Sequence, residues 1–547
     1  MKMLQVIFAP RYAVFLLDAV FLLVAGGGAA LAAGGGGSLW LPAMALALAA
    51  LGIHDLVQTR HSILRNYPIV GHLRFLLEEV RGVVRQYFLE GDNENVPFSR
   101  NKRAVVYQRA KEELDKRPFG TKLDVYAPAF EWLNHSIAPT PPASEPGRIL
   151  VGGPGCSRPY SASRLNISAM SFGALGANAI RALNRGARMG GFAHDTGEGG
   201  CSRHHLEEGG DLIWEIGSGY FGCRAADGSF SPERFAERAA LEQIRMVEIK
   251  LSQGAKPGHG GVLLAAKVTA EIAAARGVPM GVDCVSPVRH SAFATPLELM
   301  RFIGELRALS GGKPVGFKLC VGLGWEFLAL GKAMLESGVR PDFIVVDGGE
   351  GGTGAAPPEF MDHVGMPLRD GLLFAHNALV GMNLRQDIRL AASGRIASAF
   401  DIARALVLGA DWCNSARGFM FAVGCIQAQN CHTGLCPVGV ATQDPLRQRA
   451  LVIADKAERV FHLHRNTLAT LAELVGAVGL DNPGQLRPHH FSRRVGPDRV
   501  ETYDRLYKFL EPGELLAGTD DPLFRAAWSA ARADSFAQAD SFARART

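Results

Sequence analysis

The sequence predicts an α/β fold, a (β/α)8 TIM barrel preceded by an N-terminal transmembrane helical hairpin, and three observations lead to this prediction. Two long apolar runs open the chain, and each is close to the roughly 20 residues that cross a membrane as a helix. From about residue 149, short apolar runs alternate with stretches of helical periodicity. Many of the 64 glycines follow these short runs directly, where the missing side chain lets a ligand approach the backbone.

The composition excludes several classes of protein. Apolar residues make up 48% of the chain and charged residues 20%, which excludes a largely disordered chain. The formal net charge is +5 and the basic residues are spread along the sequence, so no nucleic-acid partner is predicted. A length of 547 residues allows about three or four domains, or one large domain with additions.

The predicted hairpin consists of residues 12–33, a connection at 34–37 and a second apolar run at 39–56. A cleaved signal peptide is the alternative for the first run. It is less favoured because the glycine connection lacks a clear cleavage pattern and another apolar run follows at once. The sequence therefore predicts two helices that cross the membrane.

Basic residues flank this hairpin and predict its orientation. Lys2 and Arg11 precede it, whereas Arg60, Arg65 and Arg74 follow it, and the connection between the two runs carries no charge. Because positive residues stay on the cytoplasmic side, both ends of the hairpin are expected in the cytoplasm. The predicted location is the cytoplasmic membrane, with the catalytic domain facing the cytoplasm.

The remainder is predicted to alternate strands and helices around one parallel sheet. Predicted strands cover residues 246–252, 281–286, 315–320, 343–348, 389–394 and 411–415, and predicted helices cover residues 265–276, 296–308, 325–336, 371–384 and 399–408. This alternation indicates either a closed barrel or an open, doubly wound sheet. No predicted strand leads into a clean GxGxxG or Walker-type glycine motif, so the barrel is favoured.

These patterns divide the chain into four predicted parts. They are a transmembrane hairpin at residues 1–56, a connecting helical and loop region at 57–148, a barrel with a cysteine-rich loop at 149–475, and a C-terminal extension at 476–547 with a partly disordered tail. The parallel barrel places its chemistry at the carboxyl ends of the strands.

Three of the nine cysteines fall within twelve residues. Cys425, Cys431 and Cys436 lie on one short segment, and Pro437 follows the last of them. Disulfides are not expected in the reducing cytoplasm, and thiolates at this spacing are typical of an iron–sulfur cluster. A zinc site that uses His432 as its fourth ligand is an alternative, and three incidental cysteines are another.

Segments suited to an anion end three consecutive predicted strands: glycine-bearing loops at residues 347–357 and 393–395, and residues 414–417, which directly precede Gly418. Late strands of a barrel commonly hold a phosphate on such loops and on a helix N-terminus. Each loop could reflect turn chemistry alone. Three together favour a phosphate-bearing cofactor.

Two charged residues lie in other glycine-rich loops. Lys256 follows a predicted strand, and Glu198 lies in the segment HDTGEGG. A buried ammonium group needs an anionic partner, so Lys256 indicates a carboxylate or a flavin site. Both side chains could equally be solvated.

Residues 168–444 resemble the flavin domain of glutamate synthase, in particular its stand-alone, membrane-associated relatives. The matching motifs are SAMSFGALG at Ser168, DTGEGG at Asp195, QGAKPGHGG at Gln253, EGGTGAAP at Glu350 and CIQAQNCHTGLCPVGVATQ at Cys425. The resemblance implies an FMN-binding barrel with a 3Fe-4S cluster on the three clustered cysteines.

The resemblance also implies an activity and its participants. Ammonia or an amine would condense with a 2-oxo acid, 2-oxoglutarate in the family, and reduction by hydride would give an amino acid, L-glutamate; the reverse is the other direction. An electron donor such as ferredoxin or a reductase subunit is implied. The sequence shows no glutaminase segment, so nitrogen is expected as ammonia, as another amine or through a partner.

The resemblance assigns roles to individual residues. The flavin would be held by Ser168, Ala169, Met170, Ser171, Lys318, Asp347, Gly351, Gly352, Thr353, Ser393, Gly394, Arg395, Ser415, Ala416 and Arg417. The reacting centre would contain Lys256, Glu198 and Gln253, and Arg276 would pair with a substrate carboxylate.

Two positions depart from the family pattern. His259 replaces a family glutamate and Val262 replaces a glutamine. Valine cannot hydrogen-bond a carboxylate, which weighs against 2-oxoglutarate as the substrate.

One alternative function is another FMN barrel enzyme such as a 2-hydroxyacid oxidase, which leaves the cysteines unexplained. The other is a membrane-tethered electron-transfer flavoprotein without amino-acid turnover.

Overall fold

A computed structural model describes residues 10–34, 39–94, 97–144 and 147–539. It divides the chain into two compact units, Met1–Gly91 and Asp92–Thr547. Lys2, most of the predicted glycine connection and the end of the predicted tail lie outside the described residues.

The first unit is helical. Its α-helices are Pro10–Ala33, Trp40–Val57, Ser62–Asn66 and Val70–Val84, and a π-helical turn, Arg85–Leu89, continues the last. The first two coincide with the predicted apolar runs. Among the residues that the structure describes in full, Trp40–Val57 is long and apolar enough to cross a membrane.

The second unit contains a closed barrel of eight parallel strands, as predicted. We number them in chain order: β1 Leu165–Ile167, β2 His194–Asp195, β3 Leu212–Ile216, β4 Ile244–Lys250, β5 Val315–Leu319, β6 Phe343–Asp347, β7 Arg389–Ser393 and β8 Trp412–Ser415. Each strand pairs with the next in sequence, and β8 closes the barrel on β1. The carboxyl ends of all eight strands therefore lie on one face.

Helices lie between and after the strands. They are Ala177–Gly190, Arg203–Leu206, Pro232–Ala239, Ala270–Arg276, Pro296–Leu309, Gly324–Ser337, Pro358–His363, Leu368–Gly381, Ala399–Val407, Arg417–Ala422, Pro445–Gln448 and Ile453–Ala477. Helix caps explain where several of them begin. Ser398 accepts a hydrogen bond from the backbone N–H of Asp401, and the Asp401 carboxylate reaches back to the Ser398 backbone, which satisfies two otherwise unpaired donors.

The remaining elements surround the barrel. They are the helix Arg100–Lys111, the antiparallel sheet of Glu131–Leu133, Phe491–Arg494 and Val500–Thr502, the hairpin Ile149–Val151 with Tyr160–Ala162, the hairpin Val262–Leu263 with Cys284–Val285, the 3-10 turns Ala265–Lys267, Pro483–Gln485 and Pro488–His490, and the helices Tyr503–Leu506, Glu514–Ala517 and Pro522–Ala530.

The barrel interior is built in layers because side chains alternate along each strand. One buried apolar cluster brings together Ile213, Met246, Phe343, Val345 and Trp412 from four strands. Two residues further along three of these strands stand the charged residues Glu215, Glu248 and Asp347. An apolar layer therefore supports a charged layer nearer the carboxyl ends.

One predicted strand is wrong and three strands were not predicted. The run at residues 281–286 is not a barrel strand: Cys284–Val285 pairs antiparallel with Val262–Leu263 in an insertion after β4. The predicted helix at 265–276 is likewise divided between a 3-10 turn and the short helix Ala270–Arg276. Strands β1 and β2 gave little signal because they are two or three residues long and contain the buried polar residues Asn166, His194 and Asp195. Strand β3 was missed although its segment LIWEI is five residues long and largely apolar.

Candidate functional site

The charged layer inside the barrel centres on Lys318 of β5, which is 4% exposed. Its ammonium group donates to Glu215 of β3 and lies 3.2 Å from a carboxylate oxygen of Glu248 on β4. Oxygens of Glu215, Glu248 and Asp195 all lie within 4.8 Å of one another. One buried cation is therefore surrounded by three buried carboxyl groups.

The pKa values in this cluster are displaced because the groups share one buried volume. Burial, with the charges of Asp195 and Glu215, holds the pKa of Glu248 well above its usual value against the opposing effect of Lys318. Burial and Glu215 raise the pKa of Asp195 to about 7. Burial alone would lower the pKa of Lys318, but the surrounding carboxyl groups raise it well above the ordinary lysine value. This environment favours the charged form of Lys318 and disfavours ionisation of Glu248.

A second group of charged residues lies at the carboxyl ends of β2 and β4. A carboxylate oxygen of Glu198 lies 2.9 Å from the ammonium of Lys250, and Lys250 donates to Gln253 at 3.4 Å. Burial opposes ionisation of Glu198, but Lys250, Arg276 and Lys256 together lower its pKa. Glu198 is thus an enclosed carboxylate held by cations.

Lys256 and two glycines complete the surroundings of Glu198. Lys256 is 4% exposed and donates to the carbonyl of Gly260 at 3.1 Å. Burial lowers its pKa, which Glu198 partly restores. A Cβ at Gly261 would come within 2.4 Å of a Glu198 oxygen, and one at Gly217 within 2.8 Å of the Glu198 Cβ. The glycines in these loops therefore make the space that this carboxylate occupies.

Arg276 is buried and forms no direct ion pair with a carboxylate among the described residues, although its charge helps to lower the pKa of Glu198. Its guanidinium donates to the carbonyl of Phe172 at 3.2 Å and lies 5.1 Å from the ring centre of Phe221. Its Nε has no hydrogen-bond partner. A Cβ at Gly199 would come within 2.9 Å of the guanidinium, so the loop after β2 can pack this closely against it only because residue 199 is glycine. An arginine in this situation can bind an incoming carboxylate.

Two arginines meet at the ends of β7 and β8. Arg395 and Arg417 both donate to the carbonyl of Glu350 at 3.2 Å. Burial and the neighbouring Arg395 lower the pKa of Arg417 to about 10, so two like charges are held close together. A Cβ at Gly352 would come within 2.6 Å of the Arg417 guanidinium. Convergent cations beside bare backbone fit a phosphate group.

A cavity of about 440 Å3 adjoins these loops. Glu350, Gly394 and Arg395 line it, together with Lys102 and Arg404 from neighbouring helices. Arg395 has the left-handed backbone angle φ 50°, which turns the loop directly after Gly394. The basic lining favours an anionic ligand here.

The other predicted flavin residues lie at the same strand ends. The Ser168 hydroxyl is 3.3 Å from that of Ser393, and Ser171 accepts from the Gly199 backbone at 3.1 Å. Asp347 accepts from the Gly254 backbone at 2.8 Å, which joins the loops after β4 and β6. Ser415 is the last residue of β8, and the segments that follow β1, β6 and β8 contain Ala169, Met170, Gly351, Thr353 and Ala416.

The three clustered cysteines lie on one loop that follows the helix Arg417–Ala422. Burial, together with the nearby Cys431 and Cys436, raises the pKa of the Cys425 thiol to about 11, so the three cysteines influence one another electrostatically. Lys267 donates to the carbonyl of Cys431. Burial lowers the pKa of Lys267, while Cys431 and Cys436 raise it. Three cysteines whose thiolate forms would repel one another, and which lie beside a lysine, fit a metal cluster that binds them as thiolates. His432 is exposed.

The two positions that depart from the family pattern border the Glu198 group. His259 directly precedes Gly260, whose carbonyl accepts from its ring at 2.9 Å, and the ring lies 5.4 Å from that of Phe360. Val262 begins the inserted hairpin. The residues at 259 and 262 therefore differ from the family pattern in the segment next to Glu198, while Glu198, Lys250 and Lys256 themselves are present.

The sequence reasoning missed Glu215, Glu248, Lys250 and Lys267. A signal for the first three was present: the apolar strand segment LIWEI contains one charged residue, and IRMVEIK contains three. Charges at inward positions of a barrel strand are expensive unless they serve a site. Lys267 carried no comparable signal, because its contact with Cys431 spans 164 positions of sequence.

Comparison with known proteins shows which protein family this chain is similar to. A family model described as a conserved region in glutamate synthase matches residues 157–481. A glutamate synthase large subunit-like protein of Bacillus subtilis is 37% identical over 494 residues, covering 83% of this chain and 94% of that protein. An archaeal glutamate synthase (NADPH) of Methanocaldococcus jannaschii is 35% identical over 322 residues, covering 59% of this chain and 60% of the relative.

Solved structures are similar only at a lower level. A flavocytochrome b2 with pyruvate bound has a TM-score of 0.42 and 13% identity, covering 85% of this chain and 96% of that chain. A mandelate oxidase has a TM-score of 0.40 and 13% identity, covering 74% of this chain and 99% of that chain. We draw no conclusion about function from these similarities.

Proposed function

The chain belongs to the glutamate synthase family, whose members are oxidoreductases acting on CH-NH2 groups, and on that premise we propose that it uses FMN and a 3Fe-4S cluster. The proposed reaction is reductive amination of a 2-oxo acid by ammonia or an amine, with 2-oxoglutarate giving L-glutamate, or the reverse. An electron-donor protein such as ferredoxin or a reductase subunit supplies the electrons.

The buried Arg276 is the observation that carries this proposal. It is 6% exposed, it has an unpartnered Nε, and it lies beside the bare backbone of Gly199. A buried guanidinium without a carboxylate partner is costly, and a substrate carboxylate would relieve that cost. A 2-oxo acid and an amino acid both carry one.

The neighbouring residues would handle protons. Lys256 Nζ can hold a proton near the reacting atoms, and its lowered pKa makes that proton easier to release than from an exposed lysine. Glu198, ionised between its cations, would orient the ammonium groups of Lys250 and Lys256. Gln253, through its contact with Lys250, would fix the loop that carries Lys256.

The cofactors would be held by groups already described. Arg395, Arg417 and the glycine loops would bind the FMN phosphate, Lys318 would lie near its ring, and the three cysteines would bind the cluster. When bound, FMN would supply the hydride for reducing a carbon–nitrogen double bond, and the cluster would supply its electrons.

We further propose that the first unit anchors the protein in the cytoplasmic membrane, with the catalytic domain facing the cytoplasm. Support comes from the length and apolarity of Trp40–Val57 and from Arg60, Arg65 and Arg74 after it. A tether of this kind would keep the enzyme near a membrane-bound source of electrons.

The function can be tested on the full chain, extracted in detergent and purified anaerobically. We expect flavin absorbance, about three irons per chain, and reoxidation of the chemically reduced flavin when 2-oxoglutarate and ammonium are added together, with glutamate formed. Either compound alone is the control. Failure of a fully loaded protein to turn over any of several 2-oxo acids and amines would contradict the proposal.

Other results of this experiment would favour the alternatives. Reoxidation by a 2-oxo acid alone, with a 2-hydroxy acid as product, would indicate an enzyme of the hydroxyacid oxidase type. Flavin reduction by a membrane fraction, without amino-acid turnover, would indicate an electron-transfer flavoprotein.

Replacing Arg276 by glutamine should raise the KM for the 2-oxo acid. A charge-assisted hydrogen bond is worth about 1.5–3 kcal/mol, so we expect about a 10- to 100-fold increase in KM, with a smaller change in kcat. Arg301, an exposed arginine on the helix Pro296–Leu309, provides the matched control, R301Q. Equal KM values for R276Q and R301Q would show that Arg276 does not bind the substrate.

A further inference from the structure

The helix Val70–Val84 and its π-helical continuation leave a long apolar face uncovered. The exposed apolar side chains are Leu73, Leu76, Leu77, Val80, Val83, Val84, Tyr87, Phe88 and Leu89. Leu77 is 57% exposed and Phe88 is 81% exposed. The spacing of three and four residues places these side chains along one stripe of the helix. Water-exposed apolar surface of this extent marks an interaction site.

The opposite face of the same helix is charged. Arg74 and Glu78 form an ion pair at 3.1 Å, and Glu79 and Arg81 are exposed. Charges of both signs on one face and aliphatic side chains on the other are the pattern of a helix that lies in the plane of a membrane surface. Tyr87 and Phe88 add aromatic rings at the end of the stripe.

A hydrogen-bonded junction fixes where this amphipathic helix begins. The carboxylate of Asp55, in the last turn of the helix Trp40–Val57, is fully buried. It accepts from the backbone N–H of Ile69 at 2.9 Å and lies 2.9 Å from Nε2 of His72. The amphipathic helix therefore starts beside the end of the apolar helix.

The position of the junction identifies what covers the apolar face. If Trp40–Val57 crosses the bilayer, its last turn lies at the membrane surface. Trp40, which is 85% exposed at the other end of that helix, is a residue typical of the opposite interface. A helix that starts at the membrane surface and has one apolar and one charged face can bury the apolar face among the lipids without burying a charge.

We propose that residues 70–89 form a second membrane contact, an interfacial helix whose apolar stripe inserts at the boundary between lipid headgroups and acyl chains. The partner is the lipid bilayer itself. The inference rests on the proposed membrane anchor and extends it from a tether to a surface on which the helix lies flat.

The test uses the full chain reconstituted in bilayer nanodiscs, with a photo-reactive benzoylphenylalanine introduced at one position at a time. Leu77 and Val83 lie on the apolar stripe, and Glu79 and Arg81 are the matched positions on the charged face of the same helix. We expect lipid adducts by mass spectrometry from Leu77 and Val83, at least tenfold more than from Glu79 and Arg81.

Each other outcome contradicts the inference. Adducts from Leu77 to residues 92–547 or to a second copy of the chain would show that protein covers the stripe. Equal lipid labelling of both faces, or none, would exclude an interfacial helix. Membrane fractionation of the unmodified chain separates the two proposals, because a protein that remains in the membrane while Leu77 fails to label lipid keeps its anchor and loses only the interfacial helix.

Discussion

Replacing Lys318 by methionine should destabilise the barrel more than any other single change at the site. The substitution leaves Glu215, Glu248 and Asp195 together in the barrel interior without their cation. Breaking a buried ion pair by removing one partner costs about 3–5 kcal/mol. We expect a loss of that size in the free energy of unfolding, and a protein purified with little flavin.

A second substitution shows whether uncompensated negative charge causes the loss in the free energy of unfolding of K318M. In the variant K318M/E215Q one of the uncompensated carboxylates becomes a neutral amide, so about 1–3 kcal/mol of the loss should return. K116M, at an exposed lysine, should unfold like the unchanged protein. Denaturant unfolding monitored by circular dichroism gives all four values. If K318M and K318M/E215Q were equally stable, the carboxyl groups would not be coupled to Lys318.

This cluster shows what part of the site could be predicted from sequence. Lys318 was assigned to the flavin because it matches a family motif, and its strand was predicted from the apolar run around it. Its partners were not, because Glu215 lies 103 positions away. The pairing of β3 with β4 and of β4 with β5 places the three strands side by side, and this pairing is not evident from the separate sequence segments.

The fold was predictable where strands were long and apolar, as in β6, and ambiguous where they were short. The two residues of β2, His194 and Asp195, are both polar and both fully or almost fully buried, so no apolar run marks that strand. The insertion after β4 was misjudged for the opposite reason. Its segment at 281–286 has strand-like residues, yet it pairs with Val262–Leu263 outside the barrel, and local sequence does not distinguish the two pairings.

In the candidate site, too, some features could be predicted from the sequence and others could not. Glycine-rich loops at strand ends were recognisable because each is continuous in sequence. The pairing of Glu198 with Lys250 and the convergence of Arg395 and Arg417 on the Glu350 carbonyl join separate loops. Those contacts depend on the register of the strands that carry them, which motif matching does not supply.

The second large effect is expected at the cysteine loop, from the substitution Cys431→Ser. A cluster held by three thiolates loses a ligand when one becomes a hydroxyl, which binds iron poorly. We expect iron to fall from about three per chain to near zero, while flavin absorbance is retained because the described flavin loops lie elsewhere. The measurement is combined iron, zinc, sulfide and flavin analysis of anaerobically purified protein.

Two further substitutions show whether iron is lost because a cluster ligand is missing or because the protein misfolds, and which metal the loop binds. Cys156 is partly exposed like Cys431 but lies in a different part of the unit, and its thiol donates to the carbonyl of Gly312, a contact that serine can keep. C156S should therefore hold its iron, and equal loss in both variants would indicate misfolding. H432A separates the two metals considered for the loop. Iron retained in H432A supports a cluster on three cysteines, whereas zinc in the unchanged protein that disappears in H432A would establish a zinc site with histidine as the fourth ligand.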